Sequence, residues 1–305
     1  RKKVLKIIKD ILWKYWSEFG IGGYRKKMEK DFSPMDPEAL LMLSGVFARY
    51  DPRLFDEILY WLSVNGMFIN ILRLKNRLKD ENIPTEILSA MGDYCAKKYK
   101  MYKWKGIVSK NSKEKEVLFL KEDGSPYEKY GEHEDIFFEH GFIRGKVKKK
   151  ASKRFDNDNP VNLMLTLRSI FGVNIKSDII LYLLSNESGH VSGIANEYHY
   201  SQKGVYDSFK ELEFSGLLSN QRVGKQKIYI LKKERFEKLL DIETDRIKYV
   251  DWNTFFEFLI RLWELLNDEK LDDVSDLLIS SEIKRLLENY TLMTGLIKRF
   301  LPFLK

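Results

Sequence analysis

Five short apolar patterns follow one another between residues 175 and 231, and this order limits the possible folds more than any other part of the sequence. Three of the patterns have the spacing of amphipathic helices, and two have the alternation of strands. The predicted helices cover residues 177–185, 191–198 and 201–214, and the predicted strands cover 217–222 and 226–231, with a hairpin tip at 223–225. Ser177 and Ser201 are placed to cap the first and third helices, and Gly216 to end the third.

The order helix, helix, three-residue turn, helix, hairpin resembles the winged helix-turn-helix of MarR-like and ArsR-like transcriptional regulators. The match spans residues 175–231 of 305, and the residues that carry it are Ile194, Ala195, Ser201, Val205, Leu212, Gly216, Leu217 and Leu218. One position departs from the family, which often has Gly in the turn where this chain has His199. Because His tolerates a positive φ better than most residues, the turn can still form.

The resemblance implies that the helix from Ser201 to about residue 214 lies in the major groove of double-stranded DNA, with its first turn nearest the bases. Gln202 and Lys203 would contact base edges, since Gln can pair with adenine and Lys with guanine. The residues that would contact phosphates are Ser201, Tyr206 and Lys210. For Tyr206, packing against Tyr200 is an equally good interpretation.

The hairpin would act as the wing, from which Arg222, Lys225 and Lys227 could enter a minor groove or contact the DNA backbone. Residues 201–233 contain seven basic and three acidic side chains, a net charge of +4, which is the sign that DNA binding requires. The predicted function is that of a sequence-specific transcriptional regulator. Winged helices also serve as protein–protein modules, so a scaffold or antitoxin-like subunit that binds a protein partner is the alternative.

Most of the remaining chain has a helical pattern, which makes the predicted fold mainly α. Helices are predicted over 4–16, 38–49, 52–65, 69–78 and 85–99, a small β element near 102–121 with strands at 105–108 and 116–120, and a short helix at 132–140. The predicted domains are a helical N-terminal domain (1–100), a small basic connector that contains the β element (101–160), the winged helix-turn-helix domain (161–240) and a helical C-terminal region (241–305).

The C-terminal region is apolar enough to predict burial. Ten of the fifteen residues from Trp252 to Leu266 are apolar, so this helix is expected inside a bundle or an interface. A second long helix is predicted over 281–301. Because winged-helix regulators commonly bind palindromic sites as dimers, residues 241–305 are expected to help form a homodimer. The alternative is that this acidic region, with a net charge of −4, packs on the basic N-terminal domain of the same chain.

Three basic segments outside the winged helix are further candidates. The run 144–154, which contains Lys148, Lys149 and Lys150, is either a DNA-contacting arm or a solvated linker. Residues 97–105 interleave lysines with aromatic residues, which suits nucleic acid, but a helix end with its aromatics in the core is the favoured interpretation. Residues 53–99 form either a second, degenerate helix-turn-helix or a plain bundle, with Arg73, Lys75, Arg77 and Lys79 outside.

The sequence contains no recognisable catalytic or cofactor motif, so we expect neither enzymatic activity nor a cofactor. An undetected nucleic-acid enzyme, such as a metal-dependent nuclease, is the remaining alternative. The segment 132–140 has two histidines seven residues apart among four acidic residues, but it matches no known metal-ligand spacing, and no metal site is expected. The single cysteine, Cys95, excludes an intramolecular disulfide and is expected in the core. The low cysteine usage fits a reducing environment, so a cytoplasmic location is expected. Since no run of 18 apolar residues occurs, no membrane span is expected.

Overall fold

The computed structural model describes residues 1–22, 32–80, 83–109, 114–127, 131–148, 153–268 and 276–290, and over these residues the chain is mainly helical, as predicted. The helices are α1 (Lys2–Glu18), α2 (Pro37–Phe47), α3 (Pro52–Asn65), α4 (Ile71–Asp80), α5 (Glu86–Lys98), α6 (Asp135–Glu139), α7 (Leu163–Phe171), α8 (Ile175–Ser185), α9 (Val191–Glu197), α10 (Gln202–Phe214), α11 (Lys233–Leu240), α12 (Trp252–Leu266) and α13 (Asp276–Asn289). The strands are β1 (Glu116–Val117), β2 (Phe142–Ile143), β3 (Leu218–Val223) and β4 (Gln226–Leu231). Within the described ranges, every helix falls short of the length and apolarity that a membrane span requires.

Two Asp-Pro pairs start the second and third helices. The Asp36 carboxylate accepts from the backbone N–H groups of Glu38 and Ala39, each over 3.0 Å, and Pro37 supplies a backbone already set for the first turn. Asp51 caps α3 in the same way. The cap fixes the charge of Asp36 at the start of α2, close to the centre of the molecule.

Helices α1 to α5 and α12 enclose the larger of two hydrophobic cores, called here the large core. In it the ring of Trp16 lies edge-on to that of Trp61, with ring centroids 5.2 Å apart, and Phe19 stacks on Trp61 at 5.4 Å. Trp16 Nε1 donates to Ser44 Oγ over 2.9 Å, and Trp61 Nε1 donates to the Phe19 carbonyl over 2.8 Å. The two indoles are therefore buried without leaving an N–H unsatisfied.

The apolar helix predicted over 252–266 is α12, and it is part of the large core. Its apolar side chains from Trp252 to Trp263 are buried, and the rings of Trp263 and Phe47 of α2 lie edge to face at 5.7 Å. The apolar face that suggested a homodimer thus packs on N-terminal helices of the same chain, as the alternative interpretation expected. Dimerisation through residues 241–305 stays a prediction. The end of the last predicted helix lies outside the described residues.

Helices α7 to α11 and the β3–β4 hairpin enclose the second core, called here the small core. Ile194 of α9 and Val205, Phe209 and Leu212 of α10 are buried in it, as their spacing predicted. The rings of Phe209 and Tyr229 stack with their centroids 3.9 Å apart. This stack joins α10 to the hairpin.

The sequence placed two boundaries of this unit wrongly. Ser177 does not cap α8, which begins at Ile175 and is capped by Asn174, whose Oδ1 accepts from the Lys176 N–H over 2.9 Å. Ser177 Oγ donates instead to the carbonyl of Gly172 over 2.6 Å. Strand β3 also continues to Val223, which pairs with Gln226, so the hairpin tip has two residues rather than three.

The extended segment 32–35 connects the two cores. Phe32 N–H donates to the Arg246 carbonyl over 3.1 Å, Lys248 N–H donates to the Phe32 carbonyl over 2.8 Å, and Met35 N–H donates to the Val161 carbonyl over 2.9 Å. The segment therefore lies beside Val161, where the chain passes into the small core, and beside residues 246–248, where it returns to the large core. The division into four domains stays a prediction, while buried residues from the first, second and fourth predicted segments, together with Leu165 of the third, share the large core.

The connector contains less β structure than predicted. Residues 102–107, expected to include a strand, form a 3₁₀ helix because Trp104 is buried and its Nε1 donates to the Gly66 carbonyl over 3.3 Å. The second predicted strand is shortened to β1. It pairs in parallel with β2, in which Phe142 is the partner of Glu116 and Ile143 the partner of Val117. The partner strand, Phe142–Ile143, was not predicted.

Helix α4 differs most from its prediction. The apolar period placed Arg73 and Arg77 outside together with Lys75 and Lys79, and the two lysines are indeed exposed. Both arginines are instead buried, with exposed fractions of 0% and 1%. Their charge is compensated by Asp36, which caps α2, and by Glu38 of α2. The helical period of α4 could not indicate this, because the carboxylates belong to another helix.

Candidate nucleic-acid interface

The turn between α9 and α10 is built from two capped helices and one residue with a positive φ. His190 Nδ1 accepts from the Gly193 N–H over 2.9 Å at the start of α9, and Ser201 Oγ accepts from the Gly204 N–H over 3.1 Å at the start of α10. His199 has a φ of 54°, the value that the turn was expected to require. Gly204 lies where α10 crosses α8. A Cβ at this position would lie 2.9 Å from Ile175 Cδ1, so a larger residue would displace the Ile175 side chain.

Helix α10 has one buried face and one solvent face. Four of the predicted DNA-contacting side chains lie on the exposed face, namely Gln202, Lys203, Tyr206 and Lys210. Tyr206 is 41% exposed, and the Lys210 Nζ lies 4.7 Å from its ring centroid, so the tyrosine packs on lysine rather than being buried with Tyr200. Ser201, also exposed, uses one lone pair for its cap and keeps its hydroxyl proton for another acceptor.

The β3–β4 hairpin extends beside this face. Residues 220–227 are exposed, and Gly224 has a φ of 60° at the two-residue tip. At the base, Gly189 N–H donates to the Tyr229 carbonyl over 3.0 Å and Tyr229 N–H donates to the Gly189 carbonyl over 2.8 Å. The segment before α9 thus pairs with β4 and anchors the hairpin.

The three predicted wing cations are not equivalent. Among the described residues, the side chains of Arg222 and Lys225 have no ion-pair or hydrogen-bond partner. Lys227 Nζ lies 3.0 Å from Glu213 Oε2, and the hydrogen bond to this carboxylate is the main cause of its raised pKa. Arg222 and Lys225 are therefore available to a partner, while Lys227 already has one.

The basic run 144–154 is divided in the structure. Arg144 is buried, its Nη2 donates to Asp56 Oδ1 over 2.7 Å, and its guanidinium lies 5.1 Å from the ring centroid of Phe119, so it is a core residue and not part of an arm. Lys148 is exposed, and its backbone N–H donates to Asp56 Oδ2 over 3.2 Å. Lys149 and Lys150 lie outside the described residues.

The lysines of residues 97–105 mostly have partners within the chain. Lys97 Nζ is 2.8 Å from Asp93 Oδ2 and 2.9 Å from Glu139 Oε2. Lys103 Nζ donates to the Ile69 carbonyl over 2.8 Å, and burial lowers its pKa to about 8. The favoured interpretation, a helix end that runs into a strand with aromatics in the core and lysines in solvent, holds only in part: Trp104 is buried, but Tyr102 is 64% exposed and a 3₁₀ helix replaces the strand.

The described residues contain no group of three or more His, Cys, Asp or Glu side chains with the geometry to hold a metal ion. His140 Nε2 lies 3.1 Å from Asp93 Oδ2, and the ring of His133 stacks on Phe138 with centroids 4.2 Å apart. Cys95 is buried, and burial raises the pKa of its thiol well above the usual range. It is a core residue, as expected.

A buried charge cluster lies behind the turn, and sequence reasoning did not find it. Its members are Asp36, Glu38, Arg73, Arg168 and Asp178. Arg73 pairs with Asp36, and its Nη1 lies 2.6 Å from Glu38 Oε2. Arg168 Nη1 lies 2.7 Å from Glu38 Oε1, and its Nη2 lies 3.1 Å from Asp178 Oδ1. The cluster thus runs from the large core to α7 and α8 of the small core.

Tyr200 joins the turn to this cluster. Its hydroxyl donates to Asp178 Oδ2 and accepts from Asn70 Nδ2 over 2.6 Å. Burial raises the pKa of Tyr200 well above its usual value, so the hydroxyl keeps its proton. Burial also raises the pKa of Asp178, against the lowering effect of Arg168. One sequence signal for the cluster was Arg168, the single charged residue between positions 161 and 175.

Comparison of the chain with protein-family models, with curated proteins and with solved structures gave no match. The surface formed by α10 and the hairpin is therefore interpreted from its own geometry and chemistry.

Proposed function

We propose that residues 175–231 form a winged helix-turn-helix and that the protein binds double-stranded DNA through it, as a cytoplasmic transcriptional regulator without catalysis. The observation that supports this most is the set of exposed side chains without partners among the described residues, namely Gln202, Lys203, Arg222 and Lys225. The opposite faces of the same elements are buried in the small core. Rigid elements thus hold free donors in solvent, as recognition of an anionic duplex requires.

In this proposal α10 enters the major groove with its first turn toward the bases. Gln202 and Lys203 contact base edges, and Ser201, Tyr206 and Lys210 contact phosphates. Arg222 and Lys225 contact the backbone or a minor groove from the hairpin tip. Lys227 contributes only if it leaves Glu213, so its share of the binding is small.

A protein partner is the second candidate, and one observation favours it. Phe214, at the C-terminal end of α10, is 95% exposed, and Val223 on the hairpin is 54% exposed. A large aromatic side chain in solvent is typical of the anchor residues of protein interfaces. Such a partner would cover the end of α10 that lies far from its capped first turn.

Fluorescence anisotropy with labelled duplexes across a salt series tests the DNA proposal. We expect affinity to fall steeply as salt rises, because each phosphate contact releases counterions. Removing Arg222 and Lys225 together is expected to weaken binding to all duplexes and to lower the salt slope by about 2. Lys203→Ala is expected to reduce mainly the preference for the best duplex, by about 1–3 kcal/mol.

Lys238→Ala on α11 is the matched control, because Lys238 is an exposed lysine outside the proposed interface. It should leave both affinity and salt slope unchanged. If the full chain binds no duplex even at low salt, the DNA proposal is wrong. Loss of a protein partner on Phe214→Ser, with the Lys203 and Arg222 variants unaffected, would support the second candidate.

A further inference from the structure

A cleft lies where the large and small cores meet. It is lined by residues from the segment 34–36, from α4, from α7 to α9, and from residues 248–253. The space in it that water-sized groups can occupy measures about 30 Å³, which holds one or two water molecules. Together with its solvent-filled mouth the space is about 390 Å³.

Seven of the thirteen residues that line the cleft are apolar or aromatic. Met164, Leu181, Tyr198, Tyr249 and Trp252 are among them. Trp252 is fixed in place because its Nε1 donates to the Pro34 carbonyl over 2.7 Å. Clefts with such walls and a few convergent polar groups, at the junction of two packed units, are the usual form of small-molecule sites.

Among the residues that the structure describes, one of the two carboxylates that line the cleft has no cation within ion-pair distance. Arg73 is neutralised by Asp36 and Glu38. Lys248 is exposed, and its Nζ donates to the Asp245 carbonyl over 2.9 Å. Among the described residues, Glu197 has no cation within ion-pair distance, and its carboxylate accepts only from the Tyr249 hydroxyl.

The surroundings of Glu197 favour a positive occupant. Burial raises the pKa of Glu197 and the neighbouring charge of Asp251 raises it further, and together they outweigh the lowering effects of the Tyr249 hydrogen bond and of the more distant charge of Arg73. A cation beside this carboxylate would offset burial and the charge of Asp251. The ring of Tyr249 lines the same cleft, and aromatic faces attract cations, as the Arg73 guanidinium 4.9 Å from the ring centroid of Tyr198 shows in the same cleft.

A buried hydrogen-bond acceptor without a partner also favours an occupant that carries N–H donors. Asn253 donates from Nδ2 to the Glu197 carbonyl over 3.2 Å, while its Oδ1 is buried and has no partner. Arg73 Nε is also buried without a partner, but its guanidinium is already paired through both terminal nitrogens. Glu197 and Asn253 both offer side-chain acceptors in the described part of the cleft, so an occupant with several N–H donors matches them.

We propose that this cleft is a binding site for a small organic amine, with the protonated amino group beside Glu197 and Asn253 and the apolar part against the aromatic wall. An ammonium group is about the size of a water molecule, so it fits the space of about 30 Å³. It supplies three N–H donors and a positive charge opposite the Glu197 carboxylate. The larger, open part of the cleft accommodates the carbon skeleton.

Isothermal titration calorimetry of the full chain with benzylamine, benzyl alcohol and benzoate tests the proposal, and it uses no DNA, so its result is independent of the proposed function. We expect benzylamine to bind with a Kd of about 1 mM, as suits a ligand of this size. Benzyl alcohol and benzoate should bind at least about tenfold more weakly, because each lacks the charge or the donors. Equal binding of the three probes, or no heat with any of them, would overturn the proposal.

Glu197→Gln keeps the shape of the side chain and an acceptor for Tyr249 while removing the charge. It should weaken benzylamine binding by at least about tenfold. Glu234→Gln is the matched control, since Glu234 is an exposed carboxylate outside the cleft, and it should leave binding unchanged. Unchanged benzylamine affinity in a folded Glu197→Gln variant would also overturn the proposal. The comparison of probes on the unmodified chain stands even if that variant does not fold.

Discussion

His199 carries the backbone through the turn that positions α10, with a φ of 54°. A β-branched side chain at such a φ is strained, by about 1–2 kcal/mol. We therefore expect His199→Val to lower the free energy of unfolding by about that amount, measured by urea denaturation. His199→Asn is the control, because it removes the same ring but tolerates a positive φ. If both variants lose equal stability, contacts of the ring rather than backbone strain account for the loss.

Asp36 combines a helix cap with a buried ion pair, and this gives it a dependence on pH. Burial alone would raise its pKa, but the guanidinium groups of Arg73 and Arg77 outweigh burial and hold the pKa well below its usual range. A carboxyl with a lowered pKa in the folded state stabilises the fold above its unfolded pKa, about 3.9. That contribution is lost as the pH falls from there through the folded pKa.

Asp36→Asn should therefore be most destabilising at neutral pH. Asn caps a helix as well as Asp does, so the variant removes the charge and keeps the start of α2. We expect a loss of about 3 kcal/mol in unfolding free energy at pH 7, as for a broken buried pair. Urea titrations at several pH values should show this difference shrinking below about pH 4. A difference that stays constant down to pH 3 would contradict the assignment.

At the scale of elements, α4 supports the turn from behind. Asn76 Nδ2 donates to the His199 carbonyl over 2.9 Å, and Asn70 Nδ2 donates to the Tyr200 hydroxyl over 2.6 Å. The same hydroxyl donates to Asp178 of α8. The side of the turn that faces away from solvent is thus held by polar contacts to two helices, and these contacts fix the direction in which α10 leaves.

Tyr200→Phe removes the hydroxyl at the centre of these contacts and leaves the ring. We expect the free energy of unfolding to fall by about 1.5–3 kcal/mol, because a hydrogen bond to a charged group is lost and Asn70 loses its acceptor. Guanidinium denaturation measures the change. Tyr206→Phe serves as the control, since Tyr206 is exposed on the other side of α10 and should lose nothing measurable. Similar losses in both variants would count against a special role for Tyr200.

The elements between 175 and 231 were predictable because their signals are local. The cap at Ser201, the positive φ at His199 and the spacing of Val205, Phe209 and Leu212 all act within one or two turns of helix. The solvent side of the candidate interface followed directly from the same spacing. The spacing did not indicate that Lys227 is already paired. Its partner Glu213 lies on α10, while Lys227 lies on the hairpin.

The parts that sequence reasoning missed depend on distant partners. Arg73 was placed in solvent because a helical period assigns charge to the outer face. Its carboxylate partner Asp36 is 37 residues away in sequence, and Glu38 lies 130 residues from Arg168. The strand pair β1–β2 is nonlocal as well. Compensation of buried charge has no local pattern, so only the assembled fold reveals it.

At the scale of the whole molecule, Arg168 ties the two cores together. Its guanidinium contacts Glu38 of α2 and Asp178 of α8, and its Nη1 donates to the Phe68 carbonyl over 3.0 Å. Arg168→Met would leave two buried carboxylates without this cation. We expect a loss of about 3–5 kcal/mol in unfolding free energy.

Differential scanning calorimetry would also show whether the two cores still melt together in the Arg168 variant. Arg53→Met is the control, because the Arg53–Glu57 pair is exposed on the arginine side and 3.9 Å long, and such pairs contribute about 0–1 kcal/mol. A single unchanged transition in Arg168→Met would mean that the cluster does not couple the cores.

The segment 32–35 has a consequence for how this chain could exchange parts with others. It contacts Val161 at one end and residues 246–248 at the other, so only about the length of this short segment separates the two ends of residues 161–247, the unit that contains the hairpin. A unit whose two ends lie close together can be exchanged by recombination, because the path of the remaining chain need not change. A transplanted unit would still need to bring an arginine, a carboxylate and a tyrosine matching Arg168, Asp178 and Tyr200. Without them, Glu38 would remain buried beneath a foreign surface.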